Sequence, residues 1–260
     1  MDEATAFLTA LEATPPEAPT RCAGWTAHDL TAHLAAGAAE MADLVEAALA
    51  GEPERPTRAF EDREAPFVAM SDADLRDRLV VEALRLGAAT EALAATGESS
   101  TVGFAGRRLT SSELDLHGRS EAALHRWDLV GDDEIGRSLL AAPELTTHAA
   151  TVLNDMLPGS AESPTVRAGR AGVGNARAVL RSPGRPDVIL VAEQGQARFE
   201  ISECDDRAPT VITDPASRLL MMWGRHPTGA PVTWCEDPAA RRELEALLWS
   251  APNEPTHASP

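Results

Sequence analysis

The stretch "HGRSEAALHRWDLVG", residues 117–131, sets one acid and two imidazoles into what otherwise reads as an apolar helix. Glu121 and His125 are four residues apart, so both side chains leave one helix face a turn from each other. His117 lies four residues further back, and Leu114, Leu124 and Trp127 surround the three. Buried polar groups need partners, and an acid with an imidazole at one-turn spacing is a common grip on a metal. The same spacing also arises by chance on exposed helices. A further histidine, His33 in "DLTAHLAAG", borders the apolar stripe of an earlier helix, one turn before Gly37. Such a histidine is more often a hydrogen-bonded core or surface group than a ligand. If the two helices face each other, however, His33, Glu121 and His125 together offer two nitrogens and a carboxylate. That set occurs in catalytic zinc sites and leaves coordination positions open. His28, His148, His226 and His257 carry no such pattern and read as ordinary histidines.

The elements that must position these groups follow from hydrophobic period and caps. Phe7, Leu8 and Leu11 mark a first helix that stops before Pro15 and Pro16. Thr26 and Asp29 form a capping box opening a helix with Leu30, Leu34, Met41, Leu44, Val45 and Leu49 on one side, ending near Gly51. A Pro- and charge-rich loop is expected over 52–70, then a helix from Ser71 to Ala95 carrying Leu75, Leu79, Leu86 and Leu93. "TSSE", Thr110 to Glu113, caps the helix that carries Glu121 and His125 to about Val130, and a last helix runs near 143–157. Four long helices and a connecting one predict a bundle over 1–157.

After "PGSAESP" the texture changes. "TVRAG", "ARAVLRS", "DVILVAEQ", "ARFEIS" and "PTVITD" are short, often alternating and broken by Gly, Pro and Asn, as antiparallel strands are. Helices in "PASRLLMMWGRH" and "DPAARRELEALLW", with a strand in "PVTWC" between them, complete a small α+β domain over 164–250. The fold class is therefore α+β, and 251–260 is expected to be a disordered tail. "AGRAGVGNAR" has the wrong order for a dinucleotide-binding glycine loop and reads as a hairpin turn.

Composition narrows the function classes. A formal charge of −18 over 260 residues repels phosphate backbones and anionic lipid, so neither nucleic acid nor membrane is an expected partner. All 23 basic residues are Arg and there is no Tyr, the mark of a high-GC genome. Cys22, Cys204 and Cys235 form no CxxC pair, which excludes a disulfide scaffold and a thiolate zinc knuckle. The acidic start "MDEATAFLTALEA" is unlike a signal peptide and no apolar run spans a bilayer, so a cytoplasmic monomer is expected.

"CAGWTAHDLTAHLAAG" and "SEAALHRWDLVG" resemble two signature stretches of the mycothiol-dependent maleylpyruvate isomerase-like family, and "PASRLLMMWGRHP" resembles its second domain. The resemblance implies a DinB-like four-helix bundle that binds a divalent metal, followed by a sterol-carrier-protein-like α+β domain. It implies zinc, or another divalent metal, on His33, Glu121 and His125, with mycothiol as cosubstrate. It implies a catalytic role for Arg225, holding a substrate carboxylate or a developing enolate; the other reading of Arg225 is a salt bridge between domains. Asp128 either orients the His125 ring or is a helix-end carboxylate, and His117 is a third ligand on its helix, a supporting donor or an exposed residue. Cys22 fits the family's "C-x-GWT" pattern as a structural residue, about two turns from the metal layer.

The implied chemistry is activation of a small thiol for attack on an electrophilic small molecule, as an S-transferase or a cis-trans isomerase. Two alternatives stay open at this level. One is a thiol-independent biosynthetic enzyme on the same bundle, the other a non-catalytic regulatory protein with a structural metal.

Overall fold

In a computed structural model, the described residues are 1–97, 99–156, 163–203, 207, 210–229 and 231–249. They fall into two compact units, Met1–Leu139 and Leu140–Pro260. The fold is mixed α+β, with the first unit predominantly helical. No described helix is long and apolar enough to cross a membrane. Cys204, His257 and the expected tail over 251–260 lie outside the described residues.

The first unit is built on helices α1 (Glu3–Glu12), α2 (Ala27–Leu49), α4 (Asp72–Thr96) and α5 (Ser111–Val130), with α2 against α4 and α1 against α5. Their starts are chemically fixed. Thr26 and Asp29 satisfy each other's backbone N–H groups at the head of α2, and Thr110 and Glu113 do the same for α5. Both capping boxes are the ones expected from sequence. The core joins Phe7 and Leu11 of α1 to Leu30, Ala32, Ala35, Ala36 and Ala39 of α2 and Leu75 and Leu79 of α4. The alanines on α2 let α4 pack closely, while Leu30 and Leu75, fully buried, contribute about 2 kcal/mol each.

Two elements of this unit depart from the sequence reading. The expected loop over 52–70 contains a helix, α3 (Phe60–Val68), packed on α2. Its inward positions are largely polar, so it shows no apolar stripe, and Pro66 reads as a breaker although it sits inside the helix. A hairpin, β1 (Thr101–Phe104) and β2 (Arg107–Thr110), leads into α5. Its turn is Ala105–Gly106, both at positive φ, as a two-residue hairpin connection requires.

A short helix, α6 (Glu134–Leu140), spans the boundary between the units. In the second unit, α7 (Pro143–Thr151) runs into a π-helical turn, Val152–Met156, over the span expected for a last helix. Here α7 packs on the helix Pro215–Met222 and the strand Gln196–Ser202. The sheet has the order β5-β4-β3-β6-β7, from β3 (Ala176–Arg181), β4 (Asp187–Glu193), β5 (Gln196–Ser202), β6 (Val211–Ile212) and β7 (Thr233–Trp234). Helices α8 (Pro164–Ala171), α9 (Pro215–Met222) and α10 (Pro238–Trp249) complete it. "TVRAG", expected as a strand, is helical in α8. Ser163 caps it, Pro164 opens it, and Gly172 ends it in the left-handed conformation, so the β-branched pair Thr165–Val166 is overridden. "AGRAGVGNAR" is accordingly a helix end and a loop before β3 rather than a hairpin turn.

Candidate metal centre

α2 and α5 bring His33, Glu121 and His125 together, with their ligand-type atoms all within 4.8 Å of one another. The Nε2 atoms of His33 and His125 stand 3.4 and 3.5 Å from the same oxygen, Glu121 Oε2. These separations are long for a hydrogen bond to a carboxylate. They match the edge of a tetrahedron with metal–ligand bonds of 2.0–2.1 Å, which is about 3.3 Å. The three residues therefore fit a divalent ion by both donor type and spacing. His33 and Glu121 keep 13% and 20% of their side-chain surface exposed, so the point between them can be reached from outside this unit.

Each imidazole is turned toward that point by a carboxylate on its other nitrogen. His125 Nδ1 is 2.9 Å from Asp128 Oδ2, and His33 Nδ1 is 2.7 Å from Glu64 Oε1. With an Nδ1–H donating to the carboxylate, each Nε2 is the nitrogen left to face Glu121, and it would offer its lone pair to an ion bound there. Asp128 is 1% exposed, which settles its position in the interior rather than at the surface. Glu64 comes from α3, the helix not recognised from sequence, and no spacing signal ties it to His33.

Electrostatics follow the same layout. Burial disfavours the charged form of His125, but hydrogen bonds with Asp128, Cys22 and Glu121 outweigh it and hold the imidazole well above its ordinary value. Burial likewise works against protonated His33, and Glu121 and Glu64 reverse it. Glu121 is held well below the ordinary carboxylate range by the two imidazoles, against its own burial.

Cys22 is closer than the sequence suggested. Its Sγ donates to Asp128 Oδ2 at 3.2 Å, and with His125 and Asp128 it forms a second group of adjacent ligand-type atoms. The loop over 19–26 is responsible. Arg21 N–H donates to Asp128 O, Pro19 bridges Thr26, and the Arg21 guanidinium lies 5.1 Å from the Trp127 ring centre. Gly131 at φ 78° ends α5 where a Cβ would collide with that guanidinium. The same loop sets Trp25 over the site, 5.1 Å from the His33 ring and nearly parallel to His125 at 6.5 Å. Phe60 of α3 stacks on His33 from another direction, at 5.9 Å.

His117 is buried, with its ring edge-on to Phe104 at 5.4 Å, and burial pushes it below its ordinary value. Among the described residues it belongs to neither group of ligand-type atoms. Arg225 lies in the second unit just after α9, where its N–H donates to Leu220 O and its guanidinium sits 6.0 Å from the Trp223 ring centre.

A helical unit whose two histidines and glutamate could hold a divalent ion, followed in the chain by a small α+β unit, defines the class of protein. The family model described as the mycothiol maleylpyruvate isomerase N-terminal domain matches residues 1–130, and the chain belongs to this family of enzymes. Its fold is similar to the crystal structure of the mycothiol-dependent maleylpyruvate isomerase, at 19% identity and a TM-score of 0.61, covering 91% of this chain and 90% of that one. A point mutant of that enzyme is similar at 18% identity, with the same TM-score and coverage. No curated protein sequence matches the chain.

Proposed function

We propose that the protein is a zinc-dependent enzyme that uses mycothiol to attack a small electrophilic substrate, as a cis-trans isomerase or an S-transferase. The observation that carries the reading is the placement of two imidazole Nε2 atoms at tetrahedral-edge distance around one carboxylate oxygen, in a chain of this family. His33, Glu121 and His125 would hold the ion, and the ion would supply a charge that turns a thiol into a thiolate near neutral pH.

The protein's own groups do the rest. Asp128 and Glu64 hold the imidazoles in the tautomer that presents Nε2. Trp25 and Phe60 wall the site with aromatic surface and limit access of water to an attacking sulfur. Arg225 carries, in this proposal, a guanidinium suited to a substrate carboxylate or a developing enolate. In an isomerase, addition of sulfur to an activated double bond is followed by rotation and expulsion of the same thiol. In an S-transferase the carbon–sulfur bond persists in the product.

Metal analysis tests the ligand set. Wild-type protein is expected to bind about one zinc per chain, and Glu121→Ala to lose most of it, because three ligands cannot spare one. Full occupancy in that variant would overturn the assignment.

A further inference from the structure

Four arginines among the described residues are buried: Arg63, Arg126, Arg167 and Arg218. Three of them have evident partners. Arg126 is paired with both oxygens of Asp133, Arg167 donates to Leu248 O and Met222 O, and Arg218 donates to Pro186 O. Arg63 differs. It keeps 7% of its surface exposed, and its guanidinium forms no hydrogen bond or ion pair among the described residues; Nε is enclosed without a partner in all four, so the difference lies at the terminal nitrogens. Its one specific contact is the Phe60 ring, whose centre lies 4.2 Å from Cζ.

A buried charge without a hydrogen-bonded partner costs stability, and proteins retain such a group where a ligand supplies the partner. The location supplies the ligand's context. Arg63 is one residue before Glu64, which orients His33, and it stacks on Phe60, which stacks on His33 in turn. It feels the charges of Glu64 and Glu121, and its own charge is felt at His117. The unpaired guanidinium therefore borders the metal centre within the first unit.

We propose that Arg63 is the anchor for a carboxylate of the substrate, a group separate from the carboxylate or enolate assigned to Arg225. A guanidinium fork matches the two oxygens of a carboxylate, and Phe60 fixes the plane of the fork by stacking. This reading deepens the thiol-dependent assignment and rests on it for the nature of the substrate; the anion site itself rests on Arg63 alone.

The test uses maleate and its uncharged diamide as probes, titrated by calorimetry into the full-length protein, both zinc-loaded and metal-free. Wild type is expected to prefer maleate, and Arg63→Met to lower maleate affinity about 10- to 100-fold while leaving diamide binding, zinc content and melting temperature at wild-type values or above. Arg63→Lys, which keeps the charge but loses the fork, should fall between them. An unchanged preference in Arg63→Met overturns the proposal. So does a sharp drop in its melting temperature, which would make the guanidinium a structural group, and so does inorganic phosphate binding as tightly as maleate. Absence of zinc from the wild type would sink the metal reading instead. Loss of maleate preference in metal-free Arg63→Met would still support the anion site.

Discussion

Asp128 is the most sensitive point at which to perturb the centre without touching a ligand. Asp128→Asn preserves size and an acceptor oxygen but removes the charge that His125 Nδ1 meets at 2.9 Å and that the Cys22 thiol donates to at 3.2 Å. A hydrogen bond to a charged partner contributes about 1.5–3 kcal/mol, against about 1 kcal/mol for a neutral one, so the substitution costs about 0.5–2 kcal/mol of imidazole orientation and basicity. At 1.4 kcal/mol per factor of ten, the middle of that range lowers zinc affinity about 10-fold, at the lower end of the 10- to 100-fold effect of partners of metal-bound histidines. The assay is competition with a chromophoric chelator at fixed pH, with circular dichroism to establish that the variant is folded. Zinc affinity within twofold of wild type in a folded Asp128→Asn would refute the claim that this carboxylate orients a ligand.

Further outcomes concern the thiol, the second unit and the fold. Cys22→Ser should retain zinc and keep more than half of thiol-dependent turnover, since the reacting sulfur comes from outside the chain; loss of activity with zinc in place would make Cys22 the nucleophile. Arg225→Ala should lower kcat/KM at least 10-fold without changing zinc content, as measured by steady-state kinetics and elemental analysis. Glu40 is fully buried and, against its burial, is held down to about 2 by hydrogen bonds from Arg55 and Arg58. Its folded value lies below the ordinary 4.5, so its stabilisation is present above pH 4.5 and is lost as pH falls toward 2. Discounted for the partly exposed arginines, it amounts to about 2 kcal/mol, and Glu40→Gln should lower urea stability by that amount at pH 7 and much less at pH 3.

What could be read in advance was what repeats along a helix. The Thr26–Asp29 and Thr110–Glu113 boxes fix the starts of α2 and α5, and Glu121 and His125 then share a face by spacing alone. Their approach to His33 depends on tertiary packing, so the residues alone left it conditional on the two helices facing each other, and the resemblance of the flanking stretches supplied that pairing. Glu64 and Arg63 were hidden because α3 points polar groups where a structural helix points leucines, so the face that lines the centre erased the periodicity that would have revealed the helix. Cys22 was misplaced because its position is set by a non-repetitive loop, pinned by the Arg21 N–H to Asp128 O bond and the Arg21–Trp127 stack. In the second unit, eight residues of α8 were too few for period to outweigh β-branched composition.

Every step proposed for this protein depends on an external thiol reaching a metal held by His33, Glu121 and His125. Cobalt-substituted protein titrated with mycothiol and followed by absorption tests it most directly. A saturable thiolate-to-cobalt charge-transfer band is expected in wild type and Cys22→Ser and should be missing in His125→Ala. No band at saturating mycothiol, together with substrate turnover that is the same with and without the thiol, would contradict it.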